Sequence, residues 1–223
     1  MKTLVIVPAY QAAKTIAAVI ASLRPLSFVS EIVVVDDGSD DGTEAVARAT
    51  GVTVLRHAVN RDQGAALETG HQYALQIGAD IVVDFDADGQ HRAEDIAVLL
   101  EYLWNDKVDI VLGSRFLGAT ENLPWSKKWL ILKPGIALNN FLTGLKLTDA
   151  HNGFRAFNRV ALEKIRITQD RKAHATEIPY LVKKHNLRYM EAPVTIIYNS
   201  YGQNMAGGFK IIKELFWDKF LRF

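Results

Sequence analysis

Asp86 and Asp88 stand two residues apart in the run Asp84-Phe85-Asp86-Ala87-Asp88-Gly89-Gln90. If the apolar residues before them form a strand ending near Phe85, extended geometry turns both carboxylates toward one ligand. Two carboxylates that close repel unless a cation or hydrogen bonds stabilise them. Mg²⁺ or Mn²⁺ would do so with coordination positions left for phosphate oxygens, and Gln90 offers one more oxygen ligand. A solvated acidic turn, which Gly89 also suits, accounts for the same residues without a ligand.

A second acidic run, Asp36-Asp37-Gly38-Ser39-Asp40-Asp41-Gly42-Thr43, follows another apolar stretch. Asp36 and Asp37 are suited to accept hydrogen bonds from ribose hydroxyls or a base, and Ser39 and Asp40 to cap the helix that follows. The glycines fit neither GxGxxG nor GxxxxGK[ST], which sets aside a dinucleotide fold and a P-loop. Arg115 ends the run Asp109-Ile110-Val111-Leu112-Gly113-Ser114 and carries the charge for a diphosphate, or for a salt bridge to an aspartate. Lys127, Lys128 and Arg155 are candidates for a second phosphate. Asp149, ahead of His151-Asn152-Gly153-Phe154-Arg155, is a candidate general base; it could instead cap a turn, and His151 competes for the same work. No GxSxG elbow supports a serine hydrolase.

The elements that must position these groups alternate. Short β-branched runs at 3–7, 31–35, 52–56, 81–85 and 109–112 predict strands, and patterns near 12–23, 42–50, 64–77 and 93–105 predict helices. This is the rhythm of an α/β fold with a mostly parallel sheet flanked by helices. Ile32-Val33-Val34-Val35 reads as a central strand buried on both faces. Ligands in such sheets collect beyond the carboxyl ends of the strands, where both acidic runs fall. Further on, the pattern predicts a helix over 126–142 that bends or starts near Pro134, strands near 154–157, 187–191 and 194–198, and a helix near 176–185. The expected division is one domain over 1–200 and an extension over 201–223.

Composition narrows the function classes. Among 223 residues, 26 Lys and Arg oppose 25 Asp and Glu, so the net charge of +1 gives no general attraction to nucleic acid. The absence of Cys excludes disulfides and thiol nucleophiles, and fits a cytoplasmic chain. The opening Thr3-Leu4-Val5-Ile6-Val7-Pro8 is too short for a secretory signal. The nearest approach to a membrane span, 129–145, is interrupted by Lys133, Pro134, Gly135, Asn139 and Asn140. The extension differs: at about 100° per residue, Phe209, Ile212, Phe216, Phe220 and Phe223 form one apolar stripe, with Lys210, Glu214, Asp218, Lys219 and Arg222 opposite. An amphipathic helix of this kind lies in a membrane interface, against a partner chain in a homo-oligomer, or on its own domain.

In order along the chain, Val7-Pro8-Ala9-Tyr10, Val34-Val35-Asp36-Asp37-Gly38-Ser39, Gln63-Gly64-Ala65-Ala66, Asp86-Ala87-Asp88-Gly89-Gln90, Leu112-Gly113-Ser114-Arg115-Phe116, and Leu147-Thr148-Asp149 with Gly153-Phe154-Arg155-Ala156-Phe157 resemble family 2 glycosyltransferases of the GT-A fold. The likeness, over roughly residues 3–200, is to the dolichyl- or polyprenyl-phosphate sugar synthase branch. It implies inverting transfer of a hexose from a nucleoside diphosphate sugar to a polyprenyl phosphate, in envelope glycan biosynthesis at the cytoplasmic face of a membrane. The resemblance places Pro8, Ala9, Tyr10 and Asp37 around the nucleotide, Asp86, Asp88 and Gln90 at the donor and a Mg²⁺ or Mn²⁺ ion, and Arg115 on the diphosphate. An acceptor phosphate that is already anionic needs little help from Asp149 as a base. The chain departs from the pattern at Gln11 and Gln63, where Asn and Lys are frequent, and at Lys127 and Lys128, where arginines are. Transfer to a soluble glycan or protein, and a non-catalytic sugar-nucleotide scaffold, are the alternatives; a sugar-1-phosphate nucleotidyltransferase lacks its glycine-rich signature here.

Overall fold

The computed structural model describes residues 1–105, 107–118, 120–121, 133–150, 152–169 and 173–197. Its strands are β1 (Thr3–Ala9), β2 (Glu31–Asp36), β3 (Thr53–Arg56), β4 (Ile81–Asp84), β5 (Ile110–Ser114), β6 (Thr120–Glu121), β7 (Arg155–Asn158), β8 (Tyr189–Pro193) and β9 (Ile196–Ile197). The helices are α1 (Ile16–Leu23), α2 (Thr43–Ala49), α3 (Gln63–Gln76), α4 (Asp95–Asn105), α5 (Lys133–Thr143), α6 (Arg159–Lys164) and α7 (His174–Lys184).

Seven strands form one sheet in the order β3-β2-β1-β4-β7-β5-β8, and β6 pairs with β9 in a second, two-stranded sheet. Alternation along β1 explains why helices cover both faces. Val5, Val7 and Ala9 join the core under α1, α2 and α4, whereas Leu4 and Ile6 join the core under α3 and α6. A third cluster seats Ile110, Leu112 and Phe157 against α5, α6 and α7. Helix α1 shows the helical counterpart of this alternation. Ile16, Val19, Ile20 and Leu23, at i, i+3, i+4 and i+7, are all buried, a gross contribution of roughly 6–12 kcal/mol. On the other face α3 approaches β1 closely, because a Cβ at Gly70 would lie 2.3 Å from Cγ2 of the fully buried Ile6.

The sheet is mostly parallel, as the sequence predicts, but β7 runs antiparallel between β4 and β5. Its register sets Arg155 opposite Asp84, so β7 begins at the edge where β4 ends. The loop leading into β7 therefore reaches the same edge as the carboxyl ends of the parallel strands. The segment after β8 braces that edge as well. The Val194 N–H donates to the Ser114 carbonyl at 3.2 Å, the Thr195 N–H to Asp95 Oδ2 at 2.6 Å, and the Ile197 N–H to the Gln90 carbonyl at 2.9 Å.

One expectation is corrected. Ser39 and Asp40 do not cap α2. Ser39 Oγ accepts the Gln11 N–H and Asp40 Oδ1 the Gln11 Nε2–H, tying the turn after β2 to the loop after β1. Asp41 takes the Thr43 N–H instead, at 3.0 Å. The helix expected over 126–142 is α5, whose described part begins at Lys133 beside Pro134. Its expected beginning, and the extension 201–223, lie outside the described residues.

Candidate active site

A cleft of about 450 Å³ opens where β1, β2 and β4 end. Strand order changes direction at β1, because β1 connects to β2 on one side while β4 lies on the other, and such a crevice is where open α/β sheets take ligands. Pro8, Ala9, Tyr10, Asp37, Asp86 and Asp88 all line it, so residues spread over 81 positions of sequence meet in one place. Two lining residues have backbones that L-residues rarely adopt, Gln11 at φ 53° and Asp62 at φ 68°, ψ 167°. Strain of this kind costs roughly 1–3 kcal/mol per residue and collects at functional sites.

One wall carries Asp86 and Asp88. Gln63, in the first turn of α3, donates through Nε2 to Asp86 Oδ1 at 2.7 Å, and His91 Nε2 meets Asp86 Oδ2 at 3.3 Å. Thr15 Oγ donates to the Ala87 carbonyl at 2.7 Å and fastens the loop from beneath. Gly153 is required beside it, since a Cβ there would lie 2.7 Å from Asp86 Oδ2. The two carboxyls are pushed apart electrostatically. Burial works to raise that of Asp86, but the hydrogen bond and charge of His91, with the charges of Arg155 and His174, hold it below its ordinary range. Burial, then the charge of Asp86, raise that of Asp88, against the Gln90 N–H that it accepts at 2.9 Å. A raised carboxyl beside an ionised one is a pair that a cation relieves. The oxygens of Asp86 and Asp88 are hard donors of the kind that Mg²⁺ or Mn²⁺ takes, whereas Gln90, whose side chain has no hydrogen-bond partner among the described residues, is not in the cleft lining. The described residues contain no group of three or more His, Asp and Glu side chains arranged around a metal position.

Another part of the cleft wall carries Asp37, which is 2% exposed. Its Oδ1 accepts the Arg61 N–H at 2.9 Å and pairs with His57 Nδ1 at 2.7 Å, and His57 Nε2 meets Thr69 Oγ at 2.8 Å. Asp37 Oδ2 is buried without a hydrogen-bond partner among the described residues. The loop after β3 is pressed against this wall at Gly38 (φ +71°), where a Cβ would lie 2.7 Å from the Val59 carbonyl carbon. His57, Asn60 and Asp62 escaped the sequence reading. The signal was available, because their loop also leaves the carboxyl end of a strand.

Several expected residues stand apart from the cleft lining. Asp36 is fully buried and outside the cleft lining; its Oδ1 accepts the Ser39 N–H at 3.2 Å and its Oδ2 lies 3.5 Å from Arg56 Nη1, so it shapes the turn. Arg155, expected on a phosphate, is 1% exposed in the centre of the sheet. Desolvation lowers its basicity against the opposing charges of Asp84, Asp86 and Asp149. It is an internal counter-charge, with Asp84 also held by His71 Nε2 at 2.7 Å. Arg115 donates from its backbone N–H at 3.1 Å and from Nε at 2.5 Å to Oδ2 of the buried Asp149. The backbone of that loop is pinned in turn by Glu191 of β8, whose carboxylate accepts the Thr148 and Asp149 N–H groups. Lys127, Lys128 and His151 lie outside the described residues.

A family model described as Glycosyl transferase family 2 matches residues 4–166. The UDP-N-acetylglucosamine–dolichyl-phosphate N-acetylglucosaminyltransferase of Methanococcus voltae is 34% identical over 236 residues, covering 94% of this chain and 93% of that protein. The polyprenol monophosphomannose synthase of Mycolicibacterium smegmatis is 30% identical over 226 residues, covering 96% of this chain and 84% of that one. Among solved structures, the glucosyl-3-phosphoglycerate synthase of Mycobacterium tuberculosis, in complex with Mn²⁺ and UDP-glucose, superposes with a TM-score of 0.73 at 22% identity, over 96% of this chain and 77% of that one. That enzyme has also been crystallised with Mg²⁺ and UDP. The likeness establishes the GT-A architecture.

Proposed function

The chain belongs to glycosyl transferase family 2, and we propose that it transfers a hexose, with inversion, from a nucleoside diphosphate sugar to a polyprenyl phosphate. The observation that carries this reading is the meeting of Asp37, Asp86 and Asp88 in one cleft, in a chain aligned nearly end to end with a dolichyl-phosphate and a polyprenol-phosphate sugar transferase.

In this reading Pro8, Ala9, Tyr10 and Asp37 hold the nucleoside, and Asp86, Asp88 and Gln90 hold Mg²⁺ or Mn²⁺. When bound, the ion neutralises charge that develops on the leaving diphosphate. Gln63 and His91 fix the rotation of the Asp86 carboxylate. An oxygen of the acceptor phosphate attacks the anomeric carbon while the bond to the diphosphate oxygen breaks on the opposite side, which inverts the centre. That oxygen carries no proton to remove, so the reaction needs no general base. Arg115, oriented by Asp149, supplies positive charge near the phosphates, and Lys127 and Lys128 are assigned to the acceptor phosphate.

Among the described residues no helix is long and apolar enough to cross a membrane, and a lipid acceptor needs a surface contact. We assign that contact to the apolar stripe of 209–223, beside a catalytic domain over 1–200, in a peripheral association with the cytoplasmic face. The test is release of nucleoside diphosphate from a panel of nucleotide sugars with Mg²⁺ or Mn²⁺, with and without polyprenyl phosphate. Release that requires the lipid is expected; equal release with a soluble glycan in place of the lipid overturns the assigned acceptor.

A further inference from the structure

The two oxygens of Asp37 are not equivalent. A carboxylate oxygen has two acceptor positions, and those of Oδ1 are filled by the Arg61 N–H and by His57 Nδ1. His57 is held in that pose from its other side by Thr69 Oγ. Oδ2 has no hydrogen-bond partner among the described residues, although Asp37 is 2% exposed and lines the cleft. A buried carboxylate oxygen without a donor is costly, and a ligand that brings one N–H recovers that cost.

We propose that His57 determines which base the donor carries: by occupying Oδ1 it leaves Asp37 a single unpartnered oxygen, which selects uracil over guanine. This rests on the reading that the cleft takes a nucleoside diphosphate. Adenine and cytosine present a ring-nitrogen lone pair at the edge that a carboxylate would meet, and are repelled. Guanine presents two adjacent donors, N1–H and the exocyclic amine, which match a carboxylate with both oxygens free. Uracil presents one N–H between two carbonyls, which matches Oδ2 alone. Asn60, also in the cleft lining, supplies the complement to a uracil carbonyl. Its Oδ1 accepts the Asp62 N–H at 3.0 Å, which orients the amide and leaves Nδ2 as the donor.

The test is isothermal titration of the full chain with UDP and with GDP, in the presence of Mn²⁺. The wild type is expected to bind UDP at least about tenfold tighter than GDP, the scale of one unmatched hydrogen bond. His57→Phe, which removes the donor, is expected to narrow that ratio at least about fivefold, and His57→Gln, which keeps a donor, to restore most of it. Thr69→Val, which releases His57 from behind, is expected to move the ratio the same way and serves if His57→Phe does not fold. A wild type that binds GDP as tightly as UDP, or a ratio unchanged in folded His57→Phe and Thr69→Val, overturns the proposal. A merely structural role for His57 would weaken both nucleotides alike. Selective UDP binding without lipid transfer would uphold this inference and defeat the assigned reaction; lipid transfer from a guanosine donor would do the reverse.

Discussion

Arg115 and Asp149 show what residue types alone cannot decide. Their types suit a phosphate contact and a general base, and the structure joins them: Asp149 Oδ2 accepts two hydrogen bonds from Arg115. An acceptor phosphate gives no proton to remove, so the account makes Asp149 a positioning residue for Arg115. The two then act as a unit, and their substitutions should not add. Asp149→Asn and Arg115→Gln are each expected to lower kcat/KM by on the order of 10–100-fold, and the double variant by no more than the worse single one. Losses that multiply, measured in the lipid-transfer assay, would assign them separate tasks. The same scale explains which site residues were legible. Asp86 and Asp88 carry their spacing in the sequence. Asp36 and Asp37 are adjacent and chemically identical, so residue type does not separate them; the family resemblance singled out Asp37, and the structure sets Asp37 in the cleft lining while Asp36 ties the turn to Ser39 and Arg56.

At the scale of elements, the strands that end at the cleft were readable because β-branched runs alternate with helical patterns. The direction of β7 was not, since antiparallel and parallel partners bury the same residues and Arg155-Ala156-Phe157 names neither. Nor was α6, whose six residues are too few for a helical period, although Asn158 caps it by accepting the Ala161 N–H. The insertion of β7 needs fastening, and Asp109 supplies it just before β5. Its carboxylate accepts the Arg188 N–H at 2.9 Å, Arg188 Nε at 3.2 Å and Nη2 at 2.9 Å, and Asn158 Nδ2 at 3.2 Å, joining β5, β7 and β8. The Arg188 hydrogen bonds, working against burial, lower the Asp109 carboxyl to about 2 from 3.8. Because the folded value is the depressed one, this stability is present above about pH 4 and is lost as pH falls toward 2. The shift corresponds to about 2 kcal/mol, reduced to about 1 by solvent screening because the Arg188 side chain is 62% exposed. Asp109→Asn should therefore cost about 1 kcal/mol in urea unfolding at pH 7, with the gap from wild type closing as pH falls from about 4 to 2. A gap that persists at pH 2 would contradict the assignment.

At the scale of the whole molecule, a soluble nucleotide sugar and a membrane-bound phosphate must meet at the carboxyl edge of one sheet. The fold accounts for the donor's place, since strand order turns at β1 and the cleft opens there. The acceptor's place rests on the sequence of the extension, whose apolar stripe and net basic face suit a lipid interface. Phe216→Glu with Phe220→Glu is expected to reduce sedimentation with anionic vesicles by at least about fivefold, while affinity for nucleoside diphosphate stays unchanged. Unchanged sedimentation would place that stripe against the parent domain or another copy of the chain. The mass of the product identifies the acceptor. After incubation with nucleotide sugar, Mg²⁺ and polyprenyl phosphate, the account predicts a lipid phosphate heavier by one sugar residue, formed by the wild type and lost on Asp88→Ala. An unmodified lipid, with the sugar recovered on a soluble acceptor, would contradict it.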